Sequence, residues 1–248
     1  MIQTPWFFGL IAVVYAAALL GCLTDRGRVC TVFLSLGALL NAVFLVHHSA
    51  FTGVFIWNSL VDPAFFLPFT VVLAILFIAA KLGKPCREMS PAILFLLATT
   101  VFAAWYPKGI VPPAGNKTGT WPFLFFVFEN AAYGLFGLSG ALALSFSKEE
   151  VRWKTLRRTI VTGFVFYSIA QVVGALWSFQ GWGHPFMWGS RHLSSAAVWL
   201  FYGALIHMRL LSSFVIRERW LAIAGGCLAV YIAYSHLMYE MGLQRIGG

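Results

Sequence analysis

The chain has 248 residues, 60% of them hydrophobic and 10% charged, and its mean hydropathy is +0.82. No water-soluble domain of this length hides so much apolar surface, so the bilayer must act as solvent. The formal net charge of +9 does not indicate nucleic acid, because the basic residues lie in short loops between apolar runs, the pattern that orients membrane proteins.

Residues 1–6 carry no basic side chain, so the first apolar run is expected to be a retained span, not a secretory signal. Eight apolar runs follow in order, at 7–23, 30–46, 64–80, 91–106, 123–146, 159–177, 193–211 and 221–239. Each is long enough, or nearly so, to cross about 30 Å of hydrocarbon as a helix. Helix is the expected state because lipid offers backbone groups no partner. The fourth run is short, and a Pro-, Gly- and Asn-rich stretch follows it to residue 119. Within it, Asn116-Lys117-Thr118 matches a glycosylation acceptor, which means something only in a host that glycosylates. The predicted fold is all-α: a polytopic transmembrane bundle of about eight spans, forming one domain over residues 1–248.

The basic residues set the expected orientation. One set of alternate loops holds Arg26, Arg28, Lys81, Lys84, Arg87, Lys148, Arg152, Lys154, Arg157, Arg158, Arg209, Arg217 and Arg219; the other holds Lys108, Lys117, Arg191 and Arg245. The richer set is expected in the cytoplasm, which puts both termini outside. On this topology Cys22, Cys30, Cys86 and Cys227 all fall in the inner half, where a reducing compartment keeps thiols. There is no Cys-x-x-Cys motif, so neither disulfide exchange nor covalent haem attachment to this chain is expected.

The six histidines sort by depth. His47 and His48 fall at the outer end of the second span, His184 and His192 in and after the outer loop at 178–192, and His236 near the outer end of the last span. His207 lies about 21 Å below the outer boundary at 1.5 Å per residue. An ionisable group at that depth is a candidate functional residue, and neutral imidazole is a common ligand of haem iron. A bis-His site needs its nitrogens within about 4 Å of each other. His48 with His236 meets the depth requirement, and His47 is the alternative to His48, since adjacent residues point about 100° apart on a helix. His207 has no partner at its own level, so it is either structural, hydrogen-bonded to a nearby carbonyl, or completed by a second subunit.

The loop at 178–192 is the most informative stretch. It carries Trp182, Trp188, His184 and His192, and Trp177 just precedes it. An aromatic belt at headgroup level accounts for Trp6, Trp57, Trp105 and Trp121. It accounts less well for Trp182 between Gly181 and Gly183, an arrangement that admits close backbone approach. Something flat and apolar is expected to dock there, a non-covalent haem b first and a quinone second. Glu129, near the outer part of the fifth span, is expected to reach the interface, with titration beside a quinone as the alternative. Gly134, Gly137 and Gly140 are read as helix-packing points. No phosphate-binding loop and no nucleophile–base pair is present.

Trp182-Gly-His-Pro-Phe-Met-Trp188 resembles the tryptophan-rich W-G-x-x-W-x-W-D motif of the CcsA/CcmC family of cytochrome c biogenesis proteins. Gly163-Phe164, the stretch from Gly174 to Trp177, and Ala197-Val-Trp-Leu-Phe-Tyr-Gly-Ala-Leu-Ile-His-Met-Arg209 resemble the flanking helices of that family. Asn58-Ser-Leu60 and Gly242-Leu243 fall in family order. The resemblance implies a protein of a bacterial inner membrane that binds haem and presents it at the outer face. It also implies a Trp-rich loop holding haem, two outer histidines flanking that loop, and a transmembrane histidine pair. The chain departs from the pattern: Phe186 replaces the middle Trp, Gly189 the Asp, and Phe125 and Gln244 stand near the flanking-histidine positions. His207 matches the transmembrane histidine, whose opposite ligand a second membrane subunit supplies in two-component members. Two functions follow. One is haem handling for cytochrome c maturation, with His184 or His236 replacing the lost ligands. The other is a b-haem subunit of a respiratory complex, passing electrons between quinol and a periplasmic multihaem cytochrome. A transporter lacks a charged pathway through the bundle.

Overall fold

The computed structural model describes residues 4–52, 62–82, 87–105, 119–145, 150–208 and 215–246, with the side chains at 4, 51–52, 62–63, 150–152, 215–217 and 236–246 outside the description. Among these residues the chain forms eight α-helices: α1 (Thr4–Leu23), α2 (Gly27–Thr52), α3 (Asp62–Leu82), α4 (Ser90–Trp105), α5 (Thr120–Ser145), α6 (Glu150–Trp182), α7 (Ser190–His207) and α8 (Val215–Ile246). A single 3-10 turn, Arg87–Met89, leads into α4. One helix therefore stands on each apolar run. Six of them, α1 to α6, are long and apolar enough to cross a membrane by length and composition. With its lead-in turn, the short fourth run makes a span of 19 residues.

Helix α5 organises the bundle. It packs on α3 and α4 on one side and on α6 and α8 on the other, and it is buried along most of its length. Small residues make that possible. Gly140 of α5 meets Gly226 of α8 so closely that a Cβ on Gly226 would stand 2.9 Å from the Gly140 Cα. Two backbones approach this near only where both lack side chains. One turn away, the rings of Phe136 and Tyr202 stack at 3.5 Å and 9°, joining α5 to α7.

The α1–α2 pair has its own polar tie. The buried Asn41 Nδ2 donates to the Tyr15 hydroxyl at 2.9 Å, and the Tyr15 ring lies against Gly37, where any Cβ would collide with it. An amide and a phenol buried in an apolar bundle must find partners, so the pair fixes the facing sides of the two helices.

At one end of the bundle the basic residues gather. Arg157 of α6 makes a forked ion pair with Glu218 of α8, both contacts at 2.8 Å. Arg219 donates to the carbonyls of Ala143 and Leu144 at 2.8 and 2.6 Å. It thereby satisfies the last acceptors of α5, which the helix itself cannot. Ser145 donates to the Glu88 carbonyl, linking α5 to the turn before α4. The opposite end carries the aromatic residues described next.

Candidate functional site

Helix α6 does not stop at Trp177. It runs through 33 residues to Trp182, about 50 Å at 1.5 Å per residue and longer than the hydrocarbon it would cross. Gly183 ends it with φ +76°, and its N–H donates to the Phe179 carbonyl at 2.8 Å. This is a left-handed C-terminal cap, which glycine accepts without steric cost. The connection itself is only 183–189, because α7 begins at Ser190 after an extended Gly189. Trp177 and Trp182 therefore stand on rigid helix and His192 on the first turn of α7, so the irregular segment is shorter than the expected 178–192. Among the described residues a Cβ at Gly181 or Gly183 would meet nothing within 4 Å. Gly183 thus serves the cap, and the close backbone approach expected there has no counterpart among those residues.

The connection presents an apolar patch. Trp182, Phe186, Met187 and Trp188 are 47%, 43%, 40% and 84% exposed. Trp182 packs against Trp177 with ring centroids 6.0 Å apart. Phe186 is edge-on to both Trp188 and His192, at 5.3 Å in each case. The Ser178 hydroxyl donates to the His184 carbonyl at 2.8 Å and folds the connection back on the end of α6. Four large apolar side chains open on one short connection exceed what scattered surface residues explain.

Beneath the patch lies a cluster of Phe125, Phe126, Ala170 and Val173, with Trp121 and Trp177 packed on it. Phe125 is 5.7 Å from the Trp177 ring. Its ring fills the space beside Gly174, where a Cβ would stand 2.9 Å away. Above Phe125 sits the Arg191 guanidinium, 5.5 Å from the ring centroid. Arg191 Nη2 donates to Glu129 Oε2 at 3.2 Å, with side-chain exposures of 30% and 6%. Glu129 is thus buried and ion-paired, which corrects the expectation that it reaches the interface. A lone carboxylate held out of water requires such a counter-charge. Below it, the hydroxyls of Tyr133 and Tyr167 meet at 3.3 Å, and Tyr167 donates to the Ser195 carbonyl at 3.3 Å. This ties α5, α6 and α7 together.

The histidines separate into three places. His184 is exposed and His192 half-buried, both at the patch. Burial, then the neighbouring Arg191 charge, hold the His192 imidazole below its ordinary pKa, so it is neutral near pH 7 and retains a lone pair. His48 is half-buried in a second aromatic cluster on α2 and α3, parallel to Phe44 at 5.7 Å and edge-on to Phe65 at 6.1 Å. His47 is exposed, so of the adjacent pair it is His48 that faces the bundle. His236 belongs to α8, but its side chain lies outside the described residues, and with it the expected His48–His236 pairing. His207 sits at the C-terminal end of α7 and is exposed. Its Nδ1 donates to the Gly203 carbonyl at 2.7 Å, the hydrogen bond its structural reading anticipates. Among the described residues no group of three or more His, Cys, Asp or Glu side chains is placed to hold a metal ion.

Sequence reasoning missed Arg191 and misplaced Glu129. The signal was present: a single acid in an apolar span needs a partner at its own depth. Arg191 is one of only four basic residues on that side of the sequence-derived topology.

Open indole and phenyl faces, a neutral imidazole and a guanidinium suit a flat apolar ligand that bears acid groups and a metal with an affinity for nitrogen. Haem has this chemistry, and the donor set fits it. The architecture defines a class: an all-helical, multi-pass membrane protein with an aromatic patch over one end of a helix pair.

Comparison with known proteins narrows the class. No protein-family model matches the chain. It is 31% identical over 105 residues to the cytochrome c biogenesis protein CcsA of Prochlorococcus marinus (strain AS9601), a match covering 42% of this chain and 34% of that protein. The match to CcsA of Synechococcus sp. (strain CC9311) is 26% over 106 residues, covering 42% and 35%. The match thus spans about a third of the length of these curated relatives. Among solved structures, a cytochrome c haem lyase, CcmF, shares the fold with a TM-score of 0.62 at 17% identity, over 97% of this chain and 49% of that one. The chain is thus similar over part of its length to proteins named for cytochrome c biogenesis, and it shares a fold with a solved haem lyase.

Proposed function

We propose that this chain handles haem for the maturation of c-type cytochromes, holding haem b non-covalently at the aromatic patch on the outer face of a bacterial inner membrane. The observation that carries the reading is the exposed patch of Trp182, Phe186, Met187 and Trp188 beside the half-buried His192. In support stand relatives named for cytochrome c biogenesis. On this reading residues 1–248 form one domain of eight spans, with the basic end in the cytoplasm and both termini outside.

The residues divide the work. Trp177, Trp182, Phe186 and Trp188 supply ring faces that bind a planar ligand and exclude water from it. His192 is the first candidate for an iron ligand at the patch, and His184 the second. His48, facing inward from α2, and His236, on α8 at the same sequence-derived depth, are proposed as a ligand pair within the bundle. His207 is proposed to complete a site with a second membrane subunit, its Nδ1–H bond to Gly203 fixing the ring. Haem supplies the iron and the vinyl groups that a c-type cytochrome requires; this chain's residues bind it, orient it and release it to the periplasmic cytochrome. A quinone remains the second candidate ligand of the same end.

A transfer experiment tests this. The purified chain, loaded with haem in detergent, is mixed with a haem-free acceptor and followed by absorbance. Haem that leaves readily supports a handling role. Haem that resists extraction and titrates reversibly in a redox titration would instead favour the electron-transfer subunit.

A further inference from the structure

We infer that Arg191 is the carboxylate-recognising residue of the aromatic patch, aimed by Glu129 at an acid group of the bound ligand. The inference rests on the reading of that patch as a porphyrin site and adds how the porphyrin is oriented in it.

Three observations carry it. First, Arg191 joins the two halves of the patch. Its guanidinium covers Phe125 at 5.5 Å, and Phe125 touches Trp177, which touches Trp182. Its chain neighbour His192 touches Phe186, which touches Trp188. Through these contacts Arg191 adjoins both pairs of rings. Second, the guanidinium is positioned before any ligand arrives. The Phe125 ring supports it, and the buried Glu129 carboxylate accepts from Nη2 at 3.2 Å. Glu129 is 6% exposed but Arg191 30%, so the cation reaches from a buried anchor to the surface. Five N–H donors in a fixed fork let one guanidinium serve two carboxylates. Third, Arg191 is the second residue of α7, whose N-cap Gly189 makes no side-chain cap bond. The positive end of that helix dipole adds to the attraction for an anion.

The alternative is that Arg191 merely neutralises Glu129. Comparing two ligands separates these roles. Iron protoporphyrin IX and its dimethyl ester differ only in whether two carboxylates are free, and both are titrated by absorbance into the full chain in detergent. The diacid is expected to bind about tenfold more tightly than the ester, the size of one charge-assisted hydrogen bond. Arg191→Gln should abolish that preference, read as the ratio of diacid to ester affinity within the variant itself, and Arg191→Lys should retain part of it. The double variant Glu129→Gln/Arg191→Gln removes the stranded carboxylate, and the wild-type comparison needs no variant at all. Equal binding of diacid and ester by the wild type, or a preference that survives in the double variant, overturns the inference and leaves the porphyrin site standing. Failure of the wild type to bind either compound overturns both.

Discussion

Removing Arg191 alone should cost far more than removing both partners of the Glu129–Arg191 pair. In Arg191→Gln the Glu129 carboxylate, 6% exposed, loses its counter-charge but stays under Phe125 and α7. Breaking a fully buried pair costs about 3–5 kcal/mol. Arg191 is 30% exposed, so water screens part of this, and a glutamine amide returns one hydrogen bond. The expected loss is about 2–3 kcal/mol. Glu129→Gln keeps an acceptor for Arg191, which can also turn toward solvent, so about 1 kcal/mol is expected. The double variant should lie near the milder single one, giving a coupling energy of about 2–3 kcal/mol. The four proteins are compared by unfolding in mixed micelles with increasing anionic detergent, helix content being read by circular dichroism. Strict additivity of the single effects, or an Arg191→Gln protein as stable as the wild type, would show that the pair does not hold α7 on α5.

The α5–α8 crossing gives a sharper steric test. Gly226→Val would push a branched side chain into the Gly140 backbone, where even a Cβ stands at 2.9 Å; a loss of about 1–3 kcal/mol is expected, and unchanged unfolding would contradict the close approach. The His192 imidazole is held below its ordinary value of 6.5 by burial and Arg191. As pH falls from 7 through 6.5 the unfolded chain takes the proton first, so stability drops on acidification and is level above pH 7. A pH series of unfolding midpoints should show that slope, and His192→Gln should flatten it; equal slopes in the two proteins would remove His192 as the cause.

All eight helices were legible because lipid demands long apolar runs and hydrophobicity marks them directly. Their ends were less so. Helix α6 runs on through Ser178-Phe-Gln-Gly-Trp182, where polar and glycine residues break the apolar signal, and only the +76° turn at Gly183 stops it. Depth along a helix could be counted, but direction around it could not. His47 and His48 sit one residue apart, yet only packing against Phe44 and Phe65 selects His48 as the inward ring. The same limit hid the Glu129–Arg191 pair, whose members are 62 residues apart and meet only because α5 and α7 converge. Phe125 shows the converse. The resemblance expects a histidine near Phe125; the Phe125 ring there packs on Gly174 and Trp177 and is covered by a cation.

The most direct measurement is the absorbance spectrum of haem bound to the purified chain, wild type against Trp182→Ala/Trp188→Ala and against His192→Ala. The indole double variant should bind haem at least about tenfold more weakly, as expected from losing two stacking faces. His192→Ala should shift the absorption bands through loss of an imidazole ligand, with helix content preserved in both. Unaltered spectra and affinities in both folded variants would contradict the account at its centre, because haem would then be held somewhere other than the patch between α6 and α7.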